Sequence, residues 1–278
     1  MAESRRPPAQ SGARLALAPA ILALAAFLVP GQARGPAAPP AASPDASALV
    51  ERIAQRLASY PKVEKWRAKA RSTTSRMTAD WTPKSTVTAD KIVTVDGPLW
   101  CEDIIAATET EDGRTRDVTA KYRDEALERA EKQKRASAAD RKNEQRSRGR
   151  RSLDMARDEI LPFGPGKRAG YDFAVEGTAD LGGVPVLLFR SRSRVRSDER
   201  LEGLYYVSPD TFDVLRAELT LAKRPAPLKR MEIEIDLAVL PEGHQVMTRA
   251  VMRVHVGVIV KNIRVEAVET YSDHVVGF

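Results

Sequence analysis

A chain of 278 residues that is 42% hydrophobic can bury a sizeable core, which excludes global disorder. A single cysteine, Cys101, excludes an internal disulfide framework and any cysteine-based zinc site. Residues 34–278 carry 42 basic and 37 acidic side chains, a net of +5, and Lys121–Arg151 alone carries twelve and six, a net of +6. The rest is therefore near −1, and the basicity belongs to one segment.

The first 33 residues have the features of a secretory signal peptide: Arg5, Arg6 and Arg14, an apolar run from Leu15 to Pro30, and small residues at Gly31 and Ala33. Cleavage after Ala33 is expected; a retained anchor is the alternative, disfavoured by Pro19 and by the shortness of the run. Ser4-Arg5-Arg6 hints at a twin-arginine signal, so the export route stays open. Residues 34–47 read as a stiff Pro/Ala linker, and 48–278 as a single domain.

Ser47 or Asp45 can cap a helix running to about Tyr60, in which Leu49, Ile53 and Leu57 recur every fourth residue and form one apolar stripe. Strand texture follows, with a strand over Ser85–Val95 and turns at Asp96-Gly97 and Asp112-Gly113. Trp66, Trp81 and Trp100 fall in this half and are expected in the core or in a cavity wall. Residues 119–160 then interrupt the strands. Glu125/Arg129, Glu128/Lys132 and Glu131/Arg135 are spaced for a solvated helix, and a second, shorter helix is expected from about Ser152.

From Phe163 onward the pattern is strand after strand: Tyr171–Glu176, Val184–Arg190, Leu204–Val207, Val214–Leu221, Lys229–Val239, Val246–Val256 and Val258–Thr270. Short links make these an antiparallel meander. In Lys229–Val239, Met231, Ile233, Ile235, Leu237 and Val239 alternate with Glu232, Glu234 and Asp236, so one face is apolar throughout. Further rows are Leu215, Ala217, Leu219, Leu221; Val246, Ala250, Met252, Val254, Val256; and Ile259, Ile263, Val265, Ala267. The fold class is thus α+β, with a curved antiparallel sheet whose apolar face lines its own interior: an incomplete, half-open β-barrel with a helical lid and a charged helical insert. Pattern alone accommodates a ligand cavity and a filled core equally.

The export signal, amino-terminal helix, early strands, helical interruption and strand-only carboxy-terminal half resemble the LolA/LolB family of periplasmic lipoprotein carriers and its RseB-type sensor relatives. GLYYVSPDTFDVLRAELTL and the closing KNIRVEAVETYSDH carry the local resemblance. It implies a half-barrel over a helical lid with acyl chains inside, and a carrier, chaperone or sensor role. The expected ligand-binding lining is Met231, Ile233, Ile235, Leu237, Val239, Met252 and Val254, and the expected partner is a lipid or acylated protein. The basic insert points to an anionic membrane surface or an acidic partner; without interleaved aromatics it does not point to nucleic acid.

No catalytic motif is present, and no cofactor or metal is expected. His244, His255 and His274 read as surface or hydrogen-bonded side chains, with His255 opposite the apolar face. Glu102 and Asp103, adjacent on a strand, point to opposite sides and make a poor acid–base pair. A structural envelope protein or an outer-membrane barrel, with the apolar face toward lipid and the aromatic Phe278 at its end, is the alternative architecture.

Overall fold

The structure is a computed structural model that describes residues 46–61, 63–97, 99–143, 160–164, 166–258 and 261–278. The expected signal peptide, nearly all of the linker and the shorter helix from Ser152 lie outside these residues. Helix α1 (Ala46–Ser59) precedes strands β1 (Lys65–Met77), β2 (Pro83–Asp96), β3 (Leu99–Glu111) and β4 (Arg114–Asp117). Helix α2 (Thr119–Asn143) and a 3-10 turn (Arg168–Gly170) lead to the second series. That series is β5 (Tyr171–Leu181), β6 (Val184–Ser193), β7 (Leu201–Val207), β8 (Val214–Leu221), β9 (Leu228–Val239), β10 (Gln245–Val258) and β11 (Lys261–Val276).

All eleven strands form one antiparallel sheet in the order β4-β3-β2-β1-β11-β10-β9-β8-β7-β6-β5. Two meanders are joined where β1 pairs with β11, from Trp66↔Val276 to Met77↔Arg264. Strands β4 and β5 are the edges and do not pair with each other, so the sheet stays open. The turns follow their residue types: Asp112 and Gly113 both take positive φ (50° and 75°), as a two-residue hairpin connection with a right-handed strand twist requires.

The meander expected after Phe163 is present, with β8 at its expected bounds. Strands β1 and β4 were not anticipated individually. Two bulges also shift the apolar rows. At the β7–β8 register break Val214, fully buried, takes the inner position instead of Leu215. At the β9–β10 break between Met247 and Arg249, Met247 pairs with Leu237 on the inner face, and Val246 turns to the other side opposite Ala238. An extra residue in one strand reverses the parity of everything before it.

Both helices pack on the same face. Helix α1, nearest to β5, buries Leu49, Val50, Ile53 and Leu57 in the cluster formed with the apolar rows of β6 to β10. Among its described side chains, helix α2 offers one buried residue, Ala126, with Tyr122 and Val118 beside it, to Ala89, Ile104 and Ala107. Its remaining hold is polar and runs along the free edge of β3, which β4 covers only from Thr108 to Glu111. Thr119 Oγ1 accepts from Ala107 N–H (2.8 Å), and Gln133 Oε1 accepts from Trp100 N–H (3.2 Å). Arg123 donates to the carbonyls of Ile104 (2.7 Å) and Ile105 (2.9 Å). The helix thus occupies backbone groups that a neighbouring strand would otherwise take.

Candidate ligand-binding face

The cross-strand register builds the site. Ala217, Ile235 and Ala250 form one row, and Leu219, Ile233, Met252 and Ala267 the next. Met231, Val254 and Val265 form a third. All seven expected lining residues therefore share one face. Ile233, Ile235 and Met252 are buried; Met231, Leu237, Val239 and Val254 are half-buried against the same cluster.

What covers this face is α1 together with Tyr60 and the Leu161–Phe163 segment. Phe163 is fully buried, with its ring centroid 4.9 Å from Tyr205, 5.4 Å from Phe173 and 6.1 Å from Phe189. The Tyr205 hydroxyl donates to the Ile160 carbonyl (3.2 Å), which fixes the segment returning from the insert.

The carboxy-terminal end of α1 is held by polar contacts. Asp213, in the β7–β8 turn, accepts from Arg56 Nε (2.5 Å), from Thr211 Oγ1 (2.6 Å) and from the Tyr60 hydroxyl. Burial works to raise the Asp213 pKa, but these donors outweigh it and hold the carboxyl below its ordinary value. Burial and the adjacent carboxylate push the Tyr60 hydroxyl well up, so it stays a donor. The Arg52 guanidinium lies 3.9 Å over the Phe212 ring of the same turn.

A second group on the inner face was not recognised from sequence. Lys91 of β2 reaches Glu102 of β3 and Glu269 of β11, 2.6 Å from Glu269 Oε1, and Arg129 of α2 contacts Glu102 at 2.6 Å. Lys91 is 3% exposed and Glu269 1%. Burial raises the Glu269 carboxyl, against the pull of Lys91. Glu102 is lowered: burial opposes, but Lys91 and Arg129 prevail. The signal was legible in parity, since Lys91 falls in the row of Val87, Ala89, Val93 and Val95. Asp103 is exposed on the other side, so Glu102 and Asp103 are not a catalytic pair.

Trp66 is buried, with Trp100 beside it at 6.0 Å in an edge-on contact. Trp81 departs from expectation: it sits in the β1–β2 turn at φ 58°, with Arg230 stacked 5.1 Å over it. His274 stacks on Trp66 at 6.2 Å with Nε2 3.1 Å from the Met247 carbonyl, and burial lowers its pKa. His255 pairs across the sheet with Arg230 and Arg264, opposite the apolar face as expected. An open cleft of about 330 Å³ lies at Pro83–Thr86 and Thr110–Gly113. It lies at the far corner of the sheet, away from the apolar rows of β8 to β10. Among the described residues no group of three His, Cys, Asp or Glu side chains is placed to hold a metal ion.

The outer face decides against the lipid-facing barrel. Arg216 contacts Asp236 at 2.5 Å, Arg249 contacts Glu234 and Asp236, Arg253 contacts Glu266, and Arg230 contacts Glu232. Arginine stems bury Glu232 and Glu234 on what would be the lipid side. Ion pairs there, and two unpaired edges, do not suit a hydrocarbon environment.

No family model matches the sequence, and no curated protein matches it either. Solved structures do. A putative outer membrane lipoprotein-sorting protein domain from Vibrio parahaemolyticus is 10% identical, with a TM-score of 0.37 over 84% of this chain and 93% of that one. A LolA superfamily protein from Nitrosomonas europaea is 10% identical, with a TM-score of 0.31 over 84% and 93%. MucB in the MucA/MucB complex of Pseudomonas aeruginosa is 11% identical, with a TM-score of 0.25 over 82% and 94%.

Proposed function

We propose that this chain is an exported, non-catalytic carrier that buries an acyl chain of a lipid or acylated protein against the inner face of β8 to β10. The observation that carries the reading is that one amphipathic helix covers a continuous apolar face and is fastened at its end by polar contacts. Magnitudes make exchange of helix for ligand feasible. Four side chains of α1, Leu49, Val50, Ile53 and Leu57, contribute about 6–12 kcal/mol when buried, at about 1.5–3 kcal/mol each. An acyl chain of about 14 methylenes contributes about 11 kcal/mol, at about 0.8 kcal/mol per CH₂. The two covers are close to balanced, so a chain can be taken up and later surrendered to a better site.

The test is native mass spectrometry of the chain from Arg34 purified without detergent, followed by extraction of anything bound. A co-purified lipid, or an added mass after incubation with phospholipid or acylated peptide, supports the carrier. Ile235→Glu should abolish that added mass while the protein remains folded. An unchanged mass under all these conditions sinks the reading and leaves a structural envelope module.

A further inference from the structure

We propose that one end of the half-barrel is a docking surface for an anionic phospholipid bilayer. Hydrogen bonds tie three segments into one rim. Arg194 N–H donates to the Gly170 carbonyl (2.9 Å), Ala222 N–H to the Arg200 carbonyl (2.8 Å), and Lys223 N–H to the Ser197 carbonyl (3.1 Å). Gly257 N–H donates to the Pro227 carbonyl (3.0 Å), joining the rim to the end of β10. Segments 166–172, 192–202 and 222–229 together hold nine Lys/Arg and four Asp/Glu, a net of +5. The opposite end is the reverse. The turns of the same meander at that end, 180–183, 208–213 and 240–244, hold Asp180, Asp210, Asp213 and Glu242 and no Lys or Arg, a net of −4.

Helix α1 spans the two ends. Its Glu51 reaches Arg168 at the basic rim, and its Arg56 reaches Asp213 at the acidic end. Counting these two residues, and Arg52 over the Phe212 ring of the acidic end, still leaves +4 against −2. The β5–β10 meander is therefore polarised along the strand direction.

Two features fit a bilayer better than an acidic protein. Val195 is 53% exposed between Arg194 and Arg196, whose side chains are 58% and 73% exposed, so an apolar side chain projects between two cations. Ala226 and Pro227 are exposed on the adjacent turn. Apolar groups ringed by basic ones match the boundary between head groups and acyl chains. The amino-terminal half of α1 also lies toward this rim, where Glu51 contacts Arg168. The inference goes beyond acyl-chain burial and does not depend on it, since docking needs no occupied interior.

The experiment is cosedimentation of the chain from Arg34 with vesicles of phosphatidylglycerol and phosphatidylcholine, against vesicles of phosphatidylcholine alone. Binding is expected only where phosphatidylglycerol is present, and it should fall steeply with added salt. The triple variant Arg192→Gln/Arg196→Gln/Lys223→Gln should bind roughly 10- to 100-fold more weakly. The acidic-end variant Asp210→Asn/Glu242→Gln should bind as the parent does. Circular dichroism melts of both variants confirm folding. Equal binding to both vesicle types, or full binding by the folded triple variant, overturns the proposal. So does binding to soluble polyglutamate without binding to vesicles, which assigns the rim to an acidic protein. Failure to retain an extractable lipid leaves the vesicle result standing, so the two proposals fail separately.

Discussion

Lys91 and Glu269 meet on the inner face from β2 and β11, Nζ to Oε1 at 2.6 Å, with side chains 4% and 1% exposed. Neither strand pairs with the other; β1 lies between them. The ion pair therefore bridges the junction of the two meanders, with Glu102 and Arg129 extending it to α2.

Lys91→Met should destabilise the protein by about 3–5 kcal/mol at neutral pH, because two buried carboxylates lose their shared cation. The sign of the pH dependence follows. Without Lys91 the native Glu269 pKa rises further above its unfolded value, so the native state holds the proton more tightly. The deficit should then shrink as pH falls through that raised value. Lys91→Met/Glu269→Met should recover much of the loss, since Arg129 still pairs Glu102. Urea titrations between pH 4 and 8 measure all three variants; a single-variant deficit independent of pH would contradict the account.

Asp213 has the opposite sign. Its native pKa is held below the ordinary value, so its contribution is fully present above about pH 4 and lost as pH falls through the lowered value. Asp213→Asn should cost about 1–3 kcal/mol at pH 7, with the gap from the parent closing in acid. Hydrogen exchange should report the loosening first in the last turn of α1, where Arg56 and Tyr60 lose their acceptor. Uniform loss of protection across the sheet would argue against a local fastening.

Ile53, 1% exposed in the middle of α1, separates two roles for the helix. Truncation to alanine should lower stability by about 2–5 kcal/mol. If α1 and ligand compete for the same face, Ile53→Ala should also bind an acyl probe more tightly than the parent, because less helix must be displaced. Weaker binding would mean that α1 forms part of the ligand's wall.

Removing Thr119, Arg123 and Gln133 together, as valine, alanine and alanine, should expose the β3 edge while leaving the α1 side of the sheet intact. Amide exchange should accelerate at Trp100 and Ala107, and the protein should self-associate more readily through the freed edge. Unchanged exchange at those two amides would show that α2 does not guard the strand.

Local pattern determined much of this by itself. The alternation in Met231–Val239, the four-residue spacing of Leu49, Ile53 and Leu57, and the Gly, Pro and Asp turns record which side of each element is buried. Burial imposes a period that a single strand or helix displays without its partners. That Met231, Ile233, Ile235, Leu237, Val239, Met252 and Val254 share one face was legible for that reason. Tertiary structure alone decided the pairing of β1 with β11, because residues so far apart in sequence leave no periodic trace. It decided which strands bring Lys91, Glu102 and Glu269 together, although each sits in an otherwise apolar row. It decided the two bulges, where one extra residue exchanges Val246 for Met247 and Leu215 for Val214 on the inner face. Finally it decided the polarity of the β5–β10 meander. An antiparallel meander sends alternate turns to opposite ends, so charges that cancel along the chain separate in space.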